Sequence, residues 1–93
     1  LKIHPEKIET SLSPLIAYPF ICLGLEDQRL GQALHLVLET NELSEKEQEE
    51  IWTKIENKLD KHHRPKAIFC LNEFPKTQSG KVDRRQISLL LQN

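Results

Sequence analysis

Phe74-Pro75-Lys76-Thr77-Gln78-Ser79-Gly80-Lys81-Val82-Asp83-Arg84-Arg85 is at once polar, turn-forming and basic, and no other segment of the chain combines the three. Pro75 fixes φ after the apolar run 67–71. Thr77, Gln78, Ser79 and Gly80 are turn formers, and Gly80 can take positive φ at no steric cost. The turn sets Lys81 at its apex on a long stem, with Arg84 and Arg85 one helical step behind. A lysine on a glycine-supported loop is suited to reaching an anionic group. Charge runs are also commonly solvated faces, so a plain strand-to-helix connection stands beside that reading. A phosphate-cradling P-loop is excluded residue by residue. It needs Gly five positions before Gly80 and Ser or Thr after Lys81, where this chain has Pro75 and Val82.

Size and composition bound the rest. At 93 residues the chain holds one small domain, 1–93. Hydrophobics at 38% with charges at 29% fit a folded globular domain. The formal net charge of −1 gives no basic field to draw nucleic acid. Apolar runs are only a few residues long, so no membrane span is expected. The opening Leu-Lys-Ile-His carries no initiator Met and no signal peptide, which is expected of a piece of a longer protein or of a processed chain. Cys22 and Cys70 read as buried free thiols, in keeping with a cytoplasmic location.

Upstream, Leu1-Lys2-Ile3 alternates like a short strand. Pro5 sits well at the first position of a helix, with Ile8 and Leu12 as its apolar stripe and Pro14 ending it near Ser13. Residues 19–25 and 32–39 read as an antiparallel hairpin with a six-residue connection. Both faces of 32–39 are apolar, as in a central strand. His35 there reads as a packed imidazole. Ser44 and Glu47 make a capping box for a helix running to about Lys61. Ile51, Trp52, Ile55 and Leu59 form its buried stripe, and Glu50 and Lys54 an i,i+4 pair. His62-His63 point about 100° apart on a helix and have no spaced carboxylate or Cys, so no metal site is expected. Residues 67–71 are a buried strand. Asp83, with Gln86 three residues on, caps a last helix whose apolar face is Ile87, Leu90 and Leu91. The sum is an α+β fold, a small three-stranded sheet with packed helices. Ile8, Leu36, Trp52, Ile55, Phe69 and Leu90 are expected in one core.

The run 75–84 resembles the carboxy-terminal signature Pro-x-Thr-x-Ser-Gly-Lys-x-x-Arg of the AMP-forming adenylating enzymes: acyl-CoA synthetases, adenylation domains of peptide synthetases, and luciferases. Every fixed position is filled. The segment 3–9 is similar to the Ile-x-Pro-x-x-Ile-Glu that follows the hinge between that family's large and small domains. Gly24, Asp27, Gly31 and Gln32 match its hairpin, and Arg64-Pro65-Lys66 its helix-to-strand junction. The resemblance covers essentially the whole chain and implies the same α+β fold.

It also implies a role for each motif. The chain would be the small C-terminal lid of an acid–thiol ligase whose large N-terminal domain, with the nucleotide and acyl pockets, lies before Leu1. Lys81 would be the adenylation lysine, a protonated bridge between carboxylate and α-phosphate, on a nucleotide-side loop of Thr77, Ser79 and Gly80. The substrates would be a small carboxylic acid, ATP with Mg, and CoA, none of them bound by this domain alone. The opening segment is most like ligases of the o-succinylbenzoate type, which serve menaquinone synthesis. The rival class is a free-standing module whose basic loop grips a phosphate or acidic peptide. Near-zero net charge and the lack of interleaved aromatics tell against nucleic acid.

Overall fold

Six consecutive residues, Ala33 to Leu38, are buried in the computed structural model, which describes residues 4–29 and 31–92. They belong to β2 (Gly31–Glu39), the middle strand of a three-stranded sheet ordered β1-β2-β3. β1 (Phe20–Asp27) lies antiparallel to β2 and β3 (Ala67–Leu71) parallel to it. Leu36 pairs with Cys22 on one side and Ile68 on the other. A central strand is covered on both faces, which is why β2 has no polar alternation.

The expected hairpin forms, but its connection is only residues 28–30, because Glu26 and Asp27 still pair with Gln32 and Gly31. The Asp27 carboxylate accepts from the Arg29 amide, a local turn bond that lets the polar strand ends close.

Helices α1 (Pro5–Leu12) and α2 (Glu45–Lys58) cover one face of the sheet. Pro5 opens α1 and Ser13 caps its end, as the sequence predicts. The capping box of α2 is complete: the Glu47 amide donates to Ser44 Oγ and the Ser44 amide to Glu47 Oε1, both at 3.1 Å. This helix stops earlier than expected. Leu59 is already extended, and a short 3₁₀ turn, Lys61–His63, follows. The reason is Arg64, whose guanidinium folds back onto the carbonyls of Leu59 and Glu56 and satisfies the helix end. Lys54 donates to the Leu15 carbonyl, not to Glu50.

One core was expected, and the sheet instead divides two apolar clusters. The first holds Ile8, Leu12, Leu36, Ile51 and Ile55. The second, on the opposite face, holds Ile21, Val37, Phe74 and Ile87, with Phe69 and Leu91 packed at its margin. Each fully buried Leu or Ile contributes about 1.5–3 kcal/mol relative to exposure. Trp52 is half-buried on the rim of the first cluster, one residue and about 100° from Ile51. Leu90, expected inside, is 49% exposed. The helix α3 (Arg84–Gln92) covers the second face and turns Ile87 and Leu91 inward. Leu90 is then turned about 100° away from Leu91. The proposed strand at Leu1-Lys2-Ile3 lies outside the described residues.

Candidate functional site

Between β3 and α3 the chain forms a small hairpin with buried feet. Phe74 is buried in the second cluster, and its amide donates to Glu39 Oε2 at 2.7 Å. Val82, half-buried on the same cluster, forms an antiparallel bridge with Lys76. The Asp83 amide donates to the Pro75 carbonyl at 2.8 Å and closes the base. Above it the Thr77 amide donates to the Lys81 carbonyl at 2.8 Å, and the Gly80 amide to the Thr77 carbonyl at 3.0 Å. Gly80 has φ +86°, giving the turn-plus-glycine pattern of a short bulged hairpin.

The four residues singled out from the sequence come together at the tip. Thr77 Oγ1 and Ser79 Oγ are 3.1 Å apart, and the Lys81 amide donates to Thr77 Oγ1 at 3.3 Å. Thr77, Ser79, Gly80 and Lys81 are all exposed. Lys81 is not at the apex, which falls on Gln78 and Ser79; it begins the return strand. Its ammonium has no hydrogen-bond or ion-pair partner among the described residues. The arrangement is an exposed cation on a backbone pinned at both ends, able to meet an anion that arrives from outside the domain.

Arg84 does not join Lys81. It turns back to Glu9 in α1, with its two terminal nitrogens 2.7 and 3.0 Å from the two carboxylate oxygens. The Cys22 amide donates to the same carboxylate at 2.8 Å, and the Cys22 carbonyl accepts from Arg84 at 3.4 Å. The Glu9 hydrogen bond holds the Arg84 guanidinium above its ordinary value against the opposing effect of burial. Burial, with Glu9 beside it, pushes the Cys22 thiol up to about 12, so this sulfur is a packing group and not a nucleophile. Sequence reasoning missed the clamp. Its only signal was that Glu9 and Arg84 end the two motifs, and spacing gave no reason to pair them.

Elsewhere two histidines are engaged locally. His35 is buried, bonds the Ala33 carbonyl through Nδ1 and stacks on Phe69 at 5.4 Å. His63 Nδ1 meets Asp60, a carboxylate partner three residues back, and that bond lowers the Asp60 carboxyl below its ordinary value. No group of three or more His, Cys, Asp and Glu among the described residues is placed to hold a metal ion. A groove of about 670 Å³ lies at the hairpin end of the sheet, between Leu25, Gln32, His35, Phe69 and Leu91, and the Lys81 loop does not line it. No helix among the described residues is long and apolar enough to cross a membrane.

The family described as AMP-binding enzyme C-terminal domain matches residues 20–81. An acetyl-coenzyme A synthetase of Emericella nidulans is 27% identical over 97% of this chain and 14% of its own length. A 2-succinylbenzoate–CoA ligase of Bacillus cytotoxicus is 32% identical over 97% of this chain and 18% of its own length. The chain thus spans less than a fifth of either relative. Among solved structures, an acyl-CoA synthetase (AMP-forming)/AMP-acid ligase II-like protein of Dyadobacter fermentans superposes with a TM-score of 0.89 at 29% identity, over 98% of this chain and 27% of that one. ATP-bound MatB of Rhodopseudomonas palustris gives 0.80 at 14% identity over 100% of this chain and 19% of that one, a likeness of fold alone.

Proposed function

The chain belongs to the AMP-binding enzyme C-terminal domain family, and from that premise we propose that residues 1–93 are the lid of an ATP-dependent, AMP-forming acid–thiol ligase. A larger N-terminal domain of the same protein carries the nucleotide and acyl pockets in this reading. The observation that carries it is the Lys81 hairpin, a cation without a partner among the described residues on a backbone held at both feet.

The first half-reaction brings a carboxylate to the α-phosphate of ATP and releases pyrophosphate. Two anions repel, and charge builds on the phosphate oxygens in the transition state. Lys81 lies between them and offsets that charge with its ammonium. A compact ammonium on a flexible stem suits a bridge between two oxygens. Thr77, Ser79 and Gly80 hold the hairpin beneath it and face the nucleotide. No residue of this domain is assigned to the Mg that accompanies ATP. Once acyl-AMP has formed, the lid turns and exposes the thiol path, so Lys81 serves only the first step.

The acid is o-succinylbenzoate and the acceptor CoA, placing the protein in menaquinone synthesis in the cytoplasm. The support is the 32% identity to the Bacillus cytotoxicus ligase over 97% of the chain. The full-length protein carrying this domain tests it, incubated with ATP, Mg and CoA and one acid at a time. Acid-dependent pyrophosphate release followed by thioester formation is expected, with kcat/KM highest for o-succinylbenzoate. A higher value for acetate contradicts the substrate, and no release with any acid contradicts the ligase.

A further inference from the structure

We infer that Glu9 is a positioning residue for adenylation, fixing the reach of Lys81 by clamping Arg84 three residues downstream. The inference rests on the adenylating role of Lys81 proposed above. The loop's first foot is fixed by Phe74, buried and bonded to Glu39. Its second foot is the turn that enters α3, and there the clamp acts. Arg84 meets Glu9 as a fork on a fork, a geometry that fixes orientation as well as distance. Glu9 is itself held, because the Cys22 amide donates to its Oε2 while the Cys22 carbonyl accepts from Arg84. Three elements, α1, β1 and α3, therefore close on one carboxylate whose side chain is 19% exposed.

Holding α3 folded does not require this clamp. Asp83 Oδ1 already caps the helix by accepting from the Gln86 amide at 3.0 Å, and Ile87 is fully buried. What the ion pair adds is the rotation of the first turn of α3. Lys81 sits just before that turn, so its cation moves when the turn moves. A misplacement of about 1 Å remote from the chemistry can cost about 10²-fold in rate.

The test uses the full-length ligase, with pyrophosphate release for adenylation and CoA consumption from presynthesised acyl-AMP for the second step. Glu9→Gln should lower adenylation about 10- to 100-fold and leave the second step nearly intact. Arg84→Lys keeps the charge but loses the fork, and should show the same split at smaller size. Glu9→Asp should recover part of the rate. Hydrogen exchange should quicken in 77–85 and stay unchanged in α2. Equal losses in both steps, or no loss in adenylation while Lys81→Ala abolishes it, overturn the positioning role. A fully active Lys81→Ala removes the adenylating lysine itself, and this inference with it.

Discussion

The Asp83 amide donates to the Pro75 carbonyl at 2.8 Å, and that single bond makes the segment between them one unit. Thr77, Ser79, Gly80 and Lys81 all lie inside it. Outside it, Phe74 and Ile87 bury on the same apolar cluster, so both feet stand on the same floor. The consequence is a base bonded and packed at both feet, beneath a lysine whose ammonium has no partner among the described residues.

Gly80 is the weak point of that unit. At φ +86° an added Cβ meets no atom within 4 Å, so any penalty comes from the backbone alone. Gly80→Ala should destabilise by about 1–2 kcal/mol and lower adenylation by loosening the Thr77–Lys81 ladder. Gly80→Asn should be milder on both counts, since Asn tolerates the left-handed region. Thermal unfolding with the pyrophosphate assay reads both. An alanine variant as stable and active as the parent contradicts the hairpin.

The second cluster is small, so it is sensitive to truncation. Phe74→Ala should cost about 3–5 kcal/mol, whereas Leu90→Ala, at a half-exposed site, should stay within about 0.5 kcal/mol. Denaturant unfolding of the full-length protein, following the lid transition, separates them. Comparable losses would mean that α3 is rotated from the position described.

Much of this was legible in the residues. The apolar run of β2, the Ser44–Glu47 box, the Asp83 cap and the positive φ of Gly80 each follow from local chemistry. Leu90 and Trp52 were misplaced because a helical stripe gives a face but not its centre. That centre is set by distant contacts: for Leu90 on α3 the Arg84–Glu9 clamp and the packing of Ile87, and for Trp52 on α2 the packing of Ile51 and Ile55 in the first cluster. The clamp joins residues 75 positions apart, and no sequence period reports such a pairing. For the site, the motif picked out the four residues of the tip, while the direction of Arg84 emerged only from the fold.

Tyr18 ties the entry of β1 to α2 by donating its hydroxyl to Glu47 Oε2 at 2.5 Å. This bond is the largest cause holding the Glu47 carboxyl below its ordinary value of 4.5, with the Ser44 amide and hydroxyl adding to it. A carboxyl lowered in the folded state stabilises above its unfolded value, and that stability is lost as pH falls through the lowered value. Tyr18→Phe should therefore lower the thermal midpoint at pH 7, and the deficit should fade at acid pH once Glu47 is protonated. A deficit constant from pH 7 to below the carboxylate range would assign the effect to packing instead.

The most direct measurement is Lys81→Ala in the full-length ligase, with the two half-reactions assayed separately. Removing one charge-stabilising group from a dry site costs about 10²–10³-fold, and that loss should fall on pyrophosphate release. Thioester formation from presynthesised acyl-AMP should stay close to the parent rate. Lys81→Arg and Lys81→Gln should not rescue, the first being planar and bulkier and the second uncharged. Lys76→Ala is the control, since that residue contributes only its backbone to the bridge with Val82 and its side chain is exposed. Selective loss of adenylation is the predicted result; equal loss of both half-reactions, or full activity, contradicts the account.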